Sequence, residues 1–220
     1  MKKFILLIIL IPNISLASDG IWKGFFDING HGAYDFTAII DKNNIYAYTE
    51  TAKTICLGQI EFPKDEFKTN LDMYILDGTK FSTAVIQGKV IENAMSGKFV
   101  TQPAVDTGNI YLVNINNKVI STKEKLGNSH WVGKNNKTDI KISFDKDNNI
   151  QGSDSNNCNY YGRLSPLNNF VYNVEIEIAS CGTSDGFYYG MGYSYNNGSK
   201  KSLDITAIGN SFSLLINLTN

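Results

Sequence analysis

The stretch Gly20-Ile21-Trp22-Lys23-Gly24, leading to Asp35-Phe36-Thr37-Ala38-Ile39-Ile40-Asp41, decides the fold because it occurs twice. His130-Trp131-Val132-Gly133 leads in the same way to Asp139-Ile140-Lys141-Ile142-Ser143-Phe144-Asp145, with Trp-x-Gly kept and the two aspartates at the same interval. Downstream, Cys56-Leu57-Gly58 is echoed by Cys158-Asn159-Tyr160-Tyr161-Gly162. Gly108-Asn109-Ile110-Tyr111-Leu112 is echoed by Gly209-Asn210-Ser211-Phe212-Ser213-Leu214. The chain reads as two copies of one unit of about 95 residues.

Working outward, each unit is built of strands. Ile140, Ile142 and Phe144 alternate with Asp139, Lys141 and Ser143, and Tyr172, Val174, Ile176 and Ile178 alternate with Asn173, Glu175 and Glu177. This is the period of a strand with one face buried. Runs bounded by turn residues predict eight strands in the first unit: 20–27, 33–40, 44–50, 54–62, 70–77, 81–91, 95–101 and 108–116. The second unit parses as 129–134, 137–144, 149–154, 157–165, 169–179, 186–195, 201–208 and 211–218. Eight sequential strands with short connections suit an up-and-down barrel, which leaves no exposed sheet edge. The expected fold class is therefore all-β, two tandem small antiparallel up-and-down β-barrels after a cleaved signal peptide. The expected boundaries are signal peptide 1–17, first barrel 18–116, linker 117–128 and second barrel 129–220. Val119 and Ile120, apolar inside that polar linker, are placed to dock the barrels together.

Gly20-Ile21-Trp22 on the first strand of an eight-stranded barrel resembles the calycin group, the lipocalins and avidins. The resemblance implies that Trp22 and Trp131 each plug one end of a barrel. Lipocalins also place a basic residue of the last strand over that tryptophan. Here Arg163, the only arginine, lies in mid-unit, and Ser129 stands in the second copy where the glycine would be.

Lys2-Lys3, the apolar run Phe4 to Ile11, and Ser15-Leu16-Ala17 have the three-part form of a secretory signal peptide. The run is shorter than the roughly 20 residues that span a bilayer, so no stable membrane anchor is expected, and the mature chain is assigned to the periplasm or the exterior. A formal net charge of −1, with lysines spread among aspartates and asparagines, gives no clustered basic surface for nucleic acid. Of the three cysteines, Cys158 and Cys181 bracket a hairpin that turns at Ser165-Pro166-Leu167-Asn168. They are expected to form a disulfide contributing about 2–4 kcal/mol, with Cys56 a buried small hydrophobe.

Chemistry-bearing patterns are few. Asp145-Lys146-Asp147-Asn148-Asn149 begins like a calcium loop, but Ile150 stands where glycine is needed, and the stretch reads as a hairpin turn. His31, between two glycines, reads as a turn histidine, and His130 as a structural strand-end residue. No catalytic residue, metal site or cofactor is expected from these patterns. The tyrosines stand out, because tyrosine packs apolar area while offering a hydroxyl. Tyr188, on a face with Gly190 and Gly192, reads as a partner site where two glycines leave bare backbone, with Tyr161 and Tyr195 nearby. The expected function is a non-enzymatic, exported protein that binds a macromolecular partner, most simply a protein, through barrel surface and loops, in the manner of periplasmic inhibitors or immunity-type proteins. Ser96-Gly97-Lys98-Phe99 resembles, loosely, the Ser-Gly-x-x-Tyr loop of one bacterial lysozyme-inhibitor family, with phenylalanine in place of tyrosine. The alternative is a calycin-like carrier of a small apolar ligand in a barrel lumen.

Overall fold

The computed structural model describes residues 19–124, 126–209 and 212–220. The expected signal peptide lies outside them, as do Lys125 of the expected linker and Asn210 and Ser211 of the repeat echo. The first eight strands are β1 (Gly20–Ile28), β2 (His31–Asp41), β3 (Asn44–Thr49), β4 (Thr54–Glu61), β5 (Glu66–Ile75), β6 (Lys80–Ile91), β7 (Ala94–Gln102) and β8 (Thr107–Asn114). The next eight are β9 (Ser129–Asn135), β10 (Thr138–Phe144), β11 (Asn149–Asp154), β12 (Asn159–Pro166), β13 (Tyr172–Ala179), β14 (Gly186–Asn197), β15 (Lys200–Ile208) and β16 (Ser213–Thr219). Each set pairs antiparallel in sequence order and closes, β8 on β1 and β16 on β9, into its own barrel.

The strand bounds differ from the sequence reading where side chains override propensity. β5 begins at Glu66 because Phe67 and Thr69 point into the barrel and are buried. β13 begins only at Tyr172, since the Asn168 side chain accepts the Phe170 and Val171 amides at 2.8 and 3.0 Å and holds the preceding turn.

The repeated glycines have a common geometric cause. A Cβ on Gly24 would lie 1.9 Å from the Tyr111 carbonyl oxygen, and one on Gly133 would lie 1.9 Å from that of Asn217. In both copies, then, the glycine of Trp-x-Gly sits where the first strand crosses closest to the last. Gly58 and Gly162 repeat this at the fourth and fifth strands of each barrel, and Gly88 and Gly190 at the sixth and seventh. Close backbone approach at three matching corners is how a short sheet curls tightly enough to close.

Both lumens are filled by side chains. Trp22 is 1% exposed within a first core of Phe36, Ile40, Ile60, Leu71, Ile86 and Leu112. Trp131, also 1% exposed, meets Phe144 edge to face at 6.2 Å and donates its indole N–H to Ser129 Oγ at 2.7 Å. Ser129 in turn donates to the Leu126 carbonyl, and Leu126 packs into the second core.

Candidate functional site

The barrels are joined side by side along a seam that their sequences do not separate from core. Ile21 and Ile39 point outward from the first barrel yet are 0% exposed, because Val171, Met191 and Tyr193 of the second barrel cover them. A neighbouring cluster brings Tyr48 and Ile55 against Leu215. Val119 forms a bridge with Tyr195, and the Ile120 amide donates to the Ser194 carbonyl at 2.8 Å, so the connecting segment is laid into the seam.

A polar knot sits among these apolar contacts. Asp204, 3% exposed, accepts hydrogen bonds at Oδ2 from the Tyr48 hydroxyl (2.9 Å) and the Tyr193 hydroxyl (2.7 Å). Asn217 donates to its other oxygen at 3.0 Å, and Lys23 Nζ stands 3.7 Å away. Burial, reinforced by the Asp204 carboxylate, pushes both phenols well above their ordinary range, which keeps them protonated and donating. Lys23 also lies over the stacked rings of Tyr193 and Tyr195, 5.2 and 4.9 Å from their centroids. Asp41 and Asn168 add a further bond between the barrels at 2.8 Å.

The five tyrosine and glycine positions read from sequence as a binding patch separate in space. Tyr188 is 2% exposed inside the second barrel, where its hydroxyl donates to the Ser184 carbonyl at 2.7 Å. Gly190 and Gly192 also face inward, one at a strand crossing and the other against Ile205 and Val174. They relieve crowding within the barrel and offer no bare strip to a partner. Tyr195 belongs to the seam, where burial pushes its phenol up to about 12. Tyr161 alone of the five stands on the open outer surface, 43% exposed. The facing of β14 is thus reversed from the sequence reading, because its outward side is apolar for two reasons: Met191, Tyr193 and Tyr195 meet the first barrel, whereas Phe187 and Tyr189 meet solvent.

That solvent-facing half is the candidate binding face. Strand register sets Tyr161 beside Glu177 and Glu177 beside Phe187, and in the next rung Arg163 beside Glu175 and Glu175 beside Tyr189. Phe187 is 61% and Tyr189 55% exposed. Three aromatic side chains therefore flank two exposed glutamates on a surface of β12, β13 and β14 made rigid by the barrel beneath. The Tyr161 rung continues round the barrel, away from this face, through Gln151 and Ser143 to His130, whose Nδ1 lies 2.8 Å from Ser143 Oγ. The binding patch read from sequence included neither Tyr189 nor Phe187. The alternation of Glu175 and Glu177 with buried neighbours was the available signal, once hairpin register carries it across to Tyr161 and Phe187.

Other sequence candidates resolve into structural parts. Cys158 and Cys181 are bonded, their Cα atoms 4.7 Å apart at one end of β12 and β13. Asp154 lies beside them, but both sulfurs are bonded to each other and only its carboxylate is left as a ligand. Asp145 accepts the amides of Asp147 and Asn149 at 2.8 and 2.9 Å, which makes its loop a turn capped by its own first residue. His31 is exposed at the first hairpin. Cys56 is buried in the first barrel, and burial raises its thiol to about 12. The first lumen retains a cavity of about 40 Å³, lined by groups including Phe26, Cys56, Met73 and Phe99. At the disulfide end of the second barrel a depression of about 480 Å³ opens beside Lys53 and Leu76 of the first, lined by Tyr160, Ile178, Tyr188 and Leu214 among others.

No known family model matches the chain, and no curated protein sequence matches it. Among solved structures it is similar to isotype 1 transferrin binding protein B from serogroup B Neisseria meningitidis, with a TM-score of 0.27 and 9% identity over 86% of this chain and 58% of that one. It is also similar to a double mutant of transferrin binding protein B from Haemophilus parasuis Hp5, with a TM-score of 0.24 and 9% identity over 91% of this chain and 62% of that one. The chain thus spans less than two thirds of either protein.

Proposed function

We propose that this chain is an exported, non-enzymatic binding protein that docks a protein partner on the outer face of β12, β13 and β14. The observation that carries the reading is the paired rung of Tyr161, Glu177, Phe187 and Arg163, Glu175, Tyr189. Large aromatic side chains held at about half exposure on a rigid sheet, interleaved with charge, have the composition of interaction hot spots. Glu175 and Glu177 fit a partner whose surface brings lysine or arginine beside an apolar anchor. Export agrees with the Cys158–Cys181 disulfide, a bond that persists in oxidising compartments. Within that reading, action as a periplasmic inhibitor or immunity-type protein needs only that the docked partner be an enzyme.

The seam supports the reading because it holds the binding barrel to a second rigid body and leaves little conformational freedom to lose on docking. The test is capture from envelope extract by immobilised wild type, Phe187→Ala, Tyr189→Ala and the double variant. The expected result is a specific partner whose retention drops at least tenfold in the double variant, with the thermal midpoint of each variant within about 2 °C of wild type. Equal capture by all four proteins would refute the assignment of this face.

A second reading, carriage of a small apolar ligand, has one observation in its favour, the 480 Å³ depression at the end of the second barrel. The 40 Å³ left in the first lumen is far below the 300 Å³ or so that ligand sites need. Ligand mass retained in native mass spectrometry, and lost on Ile178→Trp substitution, would favour carriage.

A further inference from the structure

The first barrel carries a groove on its outer face that the partner face does not use. It crosses β7, β8 and β1 and has a volume of about 380 Å³. One wall is the rung of Ser96, Tyr111 and Phe25, and the other is formed by Lys98, Asn109 and Asp27. Phe25 and Tyr111 are 51% and 42% exposed, with ring centroids 5.9 Å apart and planes tilted by 40°. Together they make a shallow two-ring platform at the surface.

The opposite wall is built with unusual care for an exposed surface. The pairing of β1 with β2 slips between Phe26 and Ile28, with the extra residue on β2, while Asp27 follows Phe25 onto the outer face by strand alternation. Gly108 makes room for it, since a Cβ there would lie 1.9 Å from the Asp27 carbonyl oxygen. The Asp27 carboxylate accepts the Asn109 side-chain amide at 3.0 Å, the Asn109 backbone amide at 3.3 Å and the Gly30 amide at 3.1 Å. The Asn109 side-chain amide, with the Gly30 and Asn109 backbone amides behind it, outweighs the opposing effect of desolvation and holds the Asp27 carboxyl below its ordinary range. The result is a planar carboxylate and a planar amide locked together, each with acceptor capacity left over, one register step from an aromatic platform.

We propose that this groove binds a neutral pyranose unit of a glycan. A sugar ring has an apolar face of C–H bonds that lies on aromatic rings, and an edge of paired hydroxyls that matches the donors and acceptors of a fixed carboxylate and amide. Lys98 and Ser96 close the polar edge with further hydrogen-bonding groups. The charges of Asp27 and Lys98 offset one another, so an anionic sugar would lose hydration with no net electrostatic gain, and an acyclic polyol lacks the ring face that the platform needs.

The proposal is tested by amide-resolved NMR titration of the full mature chain with maltotriose, cellobiose and N-acetylglucosamine trimer as probes, and with glucuronic acid and sorbitol as controls. Saturable shifts clustered on Phe25, Asn109, Tyr111 and Ser96 are expected for at least one neutral saccharide and for neither control. Phe25→Ala and Asp27→Asn should each weaken that binding at least tenfold while the Phe187→Ala/Tyr189→Ala variant binds as wild type. The inference is overturned if no neutral saccharide gives saturable shifts in the groove, if glucuronic acid binds as well as the neutral probes, or if Phe25→Ala leaves the affinity unchanged. A protein partner that loses affinity on Phe25→Ala, with no saccharide response, would equally overturn it in favour of a second docking face.

Discussion

Truncating Ile39 to alanine isolates the energetics of the seam. Its side chain lies outside the first barrel and is 0% exposed only because the second barrel covers it. Isoleucine-to-alanine changes at fully buried sites cost about 2–5 kcal/mol, the larger values where the surroundings cannot relax. A seam between two closed barrels can shift more than a barrel interior can, so a loss of about 2–3 kcal/mol is expected. For a protein of this size each kcal/mol moves the thermal midpoint by about 2–4 °C, giving a drop on the order of 5–10 °C. Met191 shares the same cluster from the other barrel. Ile39→Ala combined with Met191→Ala should therefore show a coupling of about 1 kcal/mol in a double-mutant cycle read by urea denaturation. An Ile39→Ala loss below about 0.5 kcal/mol, typical of a free surface position, would refute the seam as a source of stability. Additivity of the pair would show that the barrels do not share it.

Three further outcomes follow from individual groups. Replacing both Cys158 and Cys181 with alanine opens a loop of 23 residues and should cost about 3 kcal/mol, measured as a lower urea midpoint with a steeper slope, because the denatured chain without the cross-link exposes more surface. The Cys56 thiol, raised to about 12 by burial, should resist Ellman's reagent at pH 8 in the folded chain and react at once in denaturant. For Asp35, burial opposes ionisation, but hydrogen bonds from Thr51, the Glu50 amide and Thr49 outweigh it and hold the carboxyl below 3.8. A depressed folded value means stability that is fully present above the unfolded value and lost as pH falls through the folded one. Asp35→Asn should consequently be less stable than wild type at pH 7, with the difference shrinking as pH falls through the lowered Asp35 range on an acid-unfolding curve.

Much of the architecture was legible locally. Trp22 and Trp131, the alternation from Ile140 to Phe144 and from Tyr172 to Ile178, and the bracketing cysteines each report a residue's immediate neighbours along or across one hairpin. A hydrogen-bonded register fixes such neighbours within a few residues of a turn. The seam also left a signal that went unread: every residue of β2 from Phe36 to Asp41 is buried, so alternation fails there. A strand apolar on both faces has both faces covered.

What the sequence by itself determined was that strands exist, where they turn, and that each has an apolar side. What only the tertiary structure decided was which side of β14 is the interior, and which outward residues meet a second barrel and which meet water. Period two records that a face is apolar and carries no information about what covers it. That depends on the curvature by which a sheet closes and on residues such as Ile39 and Met191, more than a hundred positions apart, arriving at one surface.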